Sequence, residues 1–193
     1  MLRKIRLIPA FVFLMIVGIL PAGASTFVAM TAEELIAEAD AVVQGTVIQL
    51  ESRWDKNGRI IVTEATVQVS EAIVGSAPSQ IVVKTPGGEV ANYRMEALGF
   101  PQLAKGEEVI LFLKADQNIQ VSRIVGHQQG HFEVVKRLDG VSLAVPRIED
   151  GVSFLTPSGK AIPAPRSREL TTFKGRVRAE AVRIGKPVQN RGR

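Results

Sequence analysis

The chain has 193 residues, no cysteine and a formal net charge of +5 at pH 7. The missing cysteines exclude disulfides, a thiol nucleophile and a lipid-modified N-terminal cysteine. A chain of this length can bury a sufficient core without covalent staples.

Arg3, Lys4 and Arg6 precede an apolar run from Leu7 to Leu20, broken only by Pro9 and Gly18. Pro21 follows, then Ala22 and Ala24 at the small-residue positions that signal peptidase requires. The run is shorter than the ~20 residues of a comfortable membrane span. The pattern predicts an export signal cleaved after Ala24 and a mature chain of residues 25–193, secreted or periplasmic. Removing the signal lowers the net charge to +2 and uncovers an uneven layout. Residues 25–156 carry 11 Lys/Arg against 17 Asp/Glu, whereas residues 157–193 carry 10 against 2. The mature chain is therefore an acidic body with a basic tail.

Thr31 and Glu34 form a capping-box pattern, and Met30 and Leu35 a hydrophobic staple, which together predict a helix over 32–39. From residue 41 the composition turns to Val, Ile and Thr. Two long strands, 41–54 and 59–74, flank the turn signal Asp55-Lys56-Asn57-Gly58 and read as a hairpin. Ile61, Thr63, Ala65, Val67 and Val69 alternate with Glu64, Thr66, Gln68 and Ser70, the mark of a half-buried strand. Further strands are predicted over 80–85, 89–97, 108–114, 118–125, 131–137 and 141–145. The nearly continuous apolar run at 108–114 predicts a central strand. Pro146, Pro157, Pro163 and Pro165 mark an irregular connection. Leu170, Phe173, Val177, Ala181 and Ile184 then fall on one stripe of a helix over 171–184, with Gly175 inside it as a weak point.

The segments ADAVVQGTV, EAIVG, IVVKTPGG and KGEEVILFLK follow a short helix in this order. Over roughly residues 30–145 this layout resembles a group of secreted bacterial proteins with an OB-like barrel. More distantly it resembles the netrin-like barrel of tissue inhibitors of metalloproteinases. The resemblance implies a barrel. Those inhibitors chelate the protease zinc through an N-terminal cysteine, which this chain lacks, so their activity rests on fold analogy alone.

The chemistry-bearing motifs are few. No G-x-S-x-G elbow or S-x-x-K pair occurs. The two histidines, His127 and His131, sit in Gly126-His127-Gln128-Gln129-Gly130-His131. Four residues apart on a helix they could hold zinc, but the flanking glycines and strand neighbours favour a hairpin with two exposed rings. Asp55, Asn57 and Gly58 miss the spacing of a calcium loop and read as a turn. Thr85-Pro86-Gly87-Gly88 could form an anion nest but reads as a turn between strands. Ser158-Gly159-Lys160 lacks the context of a phosphate loop. The acid pairs Glu33-Glu34, Glu107-Glu108 and Glu149-Asp150 read as solvated. Lys174, Arg176, Arg178 and Arg183 lie off the apolar stripe of the last helix. They either face water or attach the tail to an anionic surface.

The sequence thus predicts a mainly β protein: an OB-like (netrin-like) β-barrel over 25–150 with a short leading helix. Residues 151–193 follow as a Pro-containing linker, a basic helix and a loose end. The expected function is that of a non-enzymatic binding module with no cofactor, directed at a protein or an envelope polymer. Export and a tail with a single aromatic, Phe173, count against nucleic acid. The alternatives are a protease inhibitor of netrin-like type and a metal-dependent enzyme using His127 and His131.

Overall fold

A computed structural model describes residues 25–116 and 121–189. The expected export signal, the start of the strand predicted over 118–125, and the last four residues of the tail lie outside the described residues. The protein is mainly β, with one helix near the N-terminus and one at the C-terminus.

Strand β1 (Ser25–Val28) leads into helix α1 (Ala32–Glu38). The capping box forms as predicted: Thr31 Oγ1 accepts from the Glu34 N–H at 3.1 Å, and the Thr31 N–H donates to Glu34 Oε2 at 2.7 Å. Leu35 and Ile36 are its buried residues.

Strands β2 (Ala41–Trp54) and β3 (Ile61–Val74) form the long antiparallel hairpin. In its turn, Asp55 Oδ1 accepts from the Arg59 and Ile60 N–H groups at 2.7 and 3.1 Å. These bonds hold the Asp55 carboxyl below its usual range. The hairpin register shifts between Gln44 and Gly45. A Cβ on Gly45 would sit 2.5 Å from the Gln68 carbonyl oxygen, so the strands approach there in a way that only glycine permits.

Strand β4 (Gln80–Pro86) pairs with β3. The weak strand predicted over 89–97 is instead a small hairpin, β5 (Gly88–Val90) and β6 (Tyr93–Met95), turning at Ala91 with φ +52°. Strand β7 (Glu108–Asp116) pairs along one edge with β2. Its other edge is shared. Strand β9 (His131–Lys136) takes Val109 to Leu111, and β8 (Val121–Ile124) takes Leu113 to Asp116. The sheet forks at this point. Strand β8 turns to β4 through the parallel pair Val83↔Ser122, while β9 continues to β10 (Ser142–Pro146).

Residues 151–169, predicted as an irregular connection, hold three short strands. β11 (Val152–Leu155) pairs in parallel with β1, β12 (Ala161–Ile162) pairs with β11, and β13 (Arg168–Glu169) pairs with β10. Proline still punctuates the segment, because it cannot donate to a ladder. Helix α2 (Leu170–Arg183) begins at an N-cap glutamate. The Thr171 and Thr172 hydroxyls and N–H groups all bind the Glu169 carboxylate and hold its pKa at about 2. The helix runs through Gly175 without a break.

Two apolar clusters explain the β7 sequence. Val109, Leu111 and Leu113 join Ala41, Val43, Val47, Ala65, Val67, Ile81, Val83 and Ile124 in one. Ile110 and Phe112 point the other way, into a second cluster that includes Leu35, Ile36, Val42, Phe132, Val177 and Ala181. A strand buried on both faces reads as a continuous apolar run rather than an alternation. The second cluster is where both helices cover the sheet.

Candidate polar cleft at the sheet fork

The fork of β7 is filled by a turn of 3-10 helix, His127–Gly130. It needs glycine at two places. Gly126 sits at φ +65°, and a Cβ on Gly130 would lie 2.2 Å from the Val125 carbonyl oxygen. This turn delivers His131 as the first residue of β9, opposite Leu111.

His131 is fully buried. The two exposed rings expected of this segment are therefore not found, since pairing with β7 draws His131 inward. Its Nε2 faces Glu107 Oε1 at 3.4 Å, and the Glu107 side chain is 5% exposed. Among the described residues Nδ1 has no hydrogen-bond partner, and Nε2 and Oε1 meet only each other, although all three atoms are buried. Glu107 Oε2 accepts from the Ala104 N–H at 2.9 Å. Burial alone would raise the Glu107 carboxyl. The His131 ring, the Ala104 N–H and the Arg147 charge outweigh it and hold the carboxyl below its ordinary range. The reading of Glu107-Glu108 as a solvated pair is thus corrected for Glu107, while Glu108 is exposed as expected. Glu107 points under the fork, and Glu108 accepts from Gln44 Nε2 at 2.6 Å.

Above His131 lies a cleft of about 420 Å³, lined also by Gln102, Gln128, Arg147, Glu149 and Asp150. Gln128 Oε1 accepts from the Glu149 N–H at 3.1 Å, and Glu149 Oε2 accepts from the Gly99 N–H at 3.2 Å. Arg147 pairs with Glu133 at 3.3 Å. The neighbouring Gln129 anchors β1: it accepts from the Met30 N–H at 2.7 Å and donates to the Val28 carbonyl at 3.1 Å. The two glutamines thus tie the fork to β1 on one side and to the 147–150 loop on the other. A second hollow of about 420 Å³ shares Gln102 and Glu149 and continues toward Glu89, Arg94 and Glu96. The first cleft is lined by amide, carboxylate, guanidinium and imidazole side chains beside Val145, Pro146 and Ile148.

His127 takes a different place. Its ring lies 4.4 Å from that of Phe100 and 5.4 Å from that of Phe27, in an aromatic cluster. Burial, with the Arg123 charge, lowers its pKa. The helix that would align it with His131 is absent, because a 3-10 turn sets side chains at i and i+3 in line. Among the described residues no group of three or more His, Asp or Glu is arranged to hold a metal ion.

The basic residues of α2 divide. Lys174 is buried and donates to Gln44 Oε1 at 2.8 Å and to Glu71 Oε2 at 2.5 Å. Arg178 also binds Glu71. Arg183 pairs with Glu33 at 2.6 Å and with Glu180. Only Arg176 of the four is exposed with no ion pair among the described residues. Lys174, expected on a solvated face, therefore serves to dock the helix. The 85–88 turn is likewise committed: the Gly87 N–H donates to the Ile61 carbonyl at 2.8 Å, and its carbonyl accepts from Thr63 Oγ1 at 2.7 Å.

Sequence reasoning missed Glu107, Gln128, Arg147 and Glu149 as a group. The usable signal was local: an acid directly after Lys105-Gly106 and directly before a strand buried on both faces. Compared with known proteins, the chain matches no family model and no curated sequence.

Proposed function

We propose that the protein is an exported, non-enzymatic binding module built on an OB-like barrel, with the cleft over His131 as its ligand site. The barrel reading is supported by the circuit of pairings β2–β3–β4–β8–β7 and back to β2. Five strands with a Greek-key crossover are the plan of the OB-fold. One apolar cluster draws its buried members from these five strands alone. The export reading rests on the Arg/Lys, apolar and Ala-x-Ala pattern of residues 3–24.

The observation that carries the binding reading is the polar cleft of about 420 Å³ bordered by Gln102, Gln128, Arg147, Glu149 and Asp150, with the fully buried His131, paired with Glu107, in its wall. A concave site with a few convergent polar side chains is the default place for a small ligand to bind. The protein, purified after export, is assayed against ester, peptide and glycosidic substrates and titrated with envelope fragments by NMR. The expected result is no turnover, with resonance shifts at residues 128, 131 and 147–150. Turnover of any of these substrates, or shifts confined to other surfaces, overturns the proposal.

A further inference from the structure

Strand β1 begins the described chain and is held along both edges. On one edge it runs parallel to β11, with Ser25 opposite Val152 and Val28 opposite Leu155. Backbone bonds close this pairing at both ends. The Ser25 N–H donates to the Gly151 carbonyl at 3.1 Å, and the Ala29 N–H donates to the Leu155 carbonyl at 2.8 Å. On the other edge the buried Gln129 side chain donates to the Val28 carbonyl and accepts from the Met30 N–H.

Phe27 fixes the strand from its inner side. Its ring lies 5.4 Å from that of His127, and a Cβ on Gly99 would sit 2.1 Å from it, so the Gly99 backbone packs directly on the ring. Gly99 in turn donates to Glu149 Oε2 at 3.2 Å. Through Gly151, Gly99 and Gln129, β1 thus braces the 147–151 loop and the 3-10 turn, which both contribute to the wall of the cleft. Chain ends are ordinarily the least ordered part of a domain. Here the pairing starts at Ser25, the residue directly after the expected cut, with no spacer between them.

We infer that removal of the export signal completes this brace: the cut after Ala24 turns the Ser25 nitrogen into an α-ammonium that anchors on the Gly151 carbonyl. This anchor rests on the export reading above and holds whatever the cleft binds. Hydrolysis of the Ala24–Ser25 bond leaves a carboxylate on Ala24 and an ammonium on Ser25, with water supplying the oxygen and both protons. In place of one neutral N–H the strand then carries three charged donors. One keeps the Gly151 carbonyl, and two remain for water or for the acids that precede Gly151 in the loop, Glu149 and Asp150. Charge-assisted hydrogen bonds are roughly twice as strong as neutral ones. The position of the cut therefore matters as well as its occurrence. A cut one residue later removes the Ser25 donor, and a cut one residue earlier moves the charge about 3.3 Å along the strand, past the end of the ladder.

The test compares three forms of the protein purified after export: as processed, acetylated at the α-amino group, and extended by two glycines ahead of Ser25. Mass spectrometry fixes the first residue of each. Acetylation keeps the Ser25 N–H and removes only the charge. The processed form is expected to have an unfolding constant, from urea titration, about fivefold lower than either altered form, the difference between a charge-assisted and a neutral bond. Resonances of residues 99, 128 and 149–152 are expected to move on acetylation, and those of α2 are expected to stay. Equal unfolding constants with unmoved loop resonances overturn the anchor and leave the export reading standing. A processed chain that starts at any residue other than Ser25 overturns both.

Discussion

Lys174 Nζ donates to Glu71 Oε2 at 2.5 Å, across the contact between α2 and β3, from a lysine side chain 7% exposed to a glutamate 15% exposed. The lysine also meets Gln44, and Arg178 shares Glu71, so the basic helix is held to the sheet by a small polar cluster. Buried pairs of this kind contribute little relative to an apolar replacement of both partners. Removing one partner is costly, because the other charge stays buried. Lys174→Ala is expected to destabilise the protein by about 3 kcal/mol, at the low end of such changes because Arg178 remains on Glu71. Arg176→Ala, at an exposed position, is expected to leave the urea midpoint unchanged. Equal midpoints for the two variants would contradict the docking role of Lys174.

The Glu107 carboxyl is held below its ordinary range by His131, the Ala104 N–H and Arg147 in spite of burial. A lowered folded-state pKa means that the charged carboxylate stabilises the fold. That contribution is complete above the unfolded value near 4.5 and is lost as the pH falls through the lowered value. Other carboxyls behave similarly, so the informative quantity is the difference between wild type and Glu107→Gln. Urea midpoints taken downward from neutral pH are expected to fall more steeply in the wild type below about pH 4.5. Parallel curves would show that Glu107 contributes nothing.

Two turn glycines separate backbone strain from crowding. Gly58 has φ +66° and open space around it. Gly75 has φ +71°, and a Cβ there would lie 2.3 Å from the Asp40 carbonyl oxygen. Gly58→Ala is expected to cost about 1 kcal/mol, from the left-handed conformation alone. Gly75→Ala adds a backbone clash and is expected to cost about 3 kcal/mol. Thermal unfolding of both variants reads the difference directly.

The α1 cap gives a smaller, cleaner effect. Thr31→Ala removes the acceptor for the Glu34 N–H and is expected to cost about 1 kcal/mol. Thr31→Ser keeps the hydroxyl and is expected to retain most of the stability. Equal loss in both variants, measured by urea unfolding, would assign the effect to the missing methyl group.

Much of the fold is legible residue by residue. Thr31 and Glu34 announce α1, the Asp55–Gly58 turn divides β2 from β3, and Phe173, Val177 and Ala181 mark the buried side of α2. In β7, Val109 to Leu113 reads as a strand buried on both faces. The candidate site is less legible. His131 follows two glycines and two glutamines, a composition that reads as a solvated turn. What buries it is its pairing with Leu111 and the division of one β7 edge between β8 and β9. Glu107 and Glu108 are identical in type and adjacent, yet one pairs with a histidine and the other with a glutamine.

By itself the sequence determined whatever depends on neighbours a few residues apart: caps, turns, the two-residue period of the strands and the apolar stripe of α2. Only the tertiary structure decided which polar groups are buried. It brought Lys174 to Gln44, β11 into parallel register with β1, and His131 over Glu107. The reason is energetic. An apolar residue is favoured inside wherever a core forms, so its periodicity alone reveals its face. A charged or hydrogen-bonding group is tolerated inside only when a particular partner meets it, and that partner can lie anywhere along the chain.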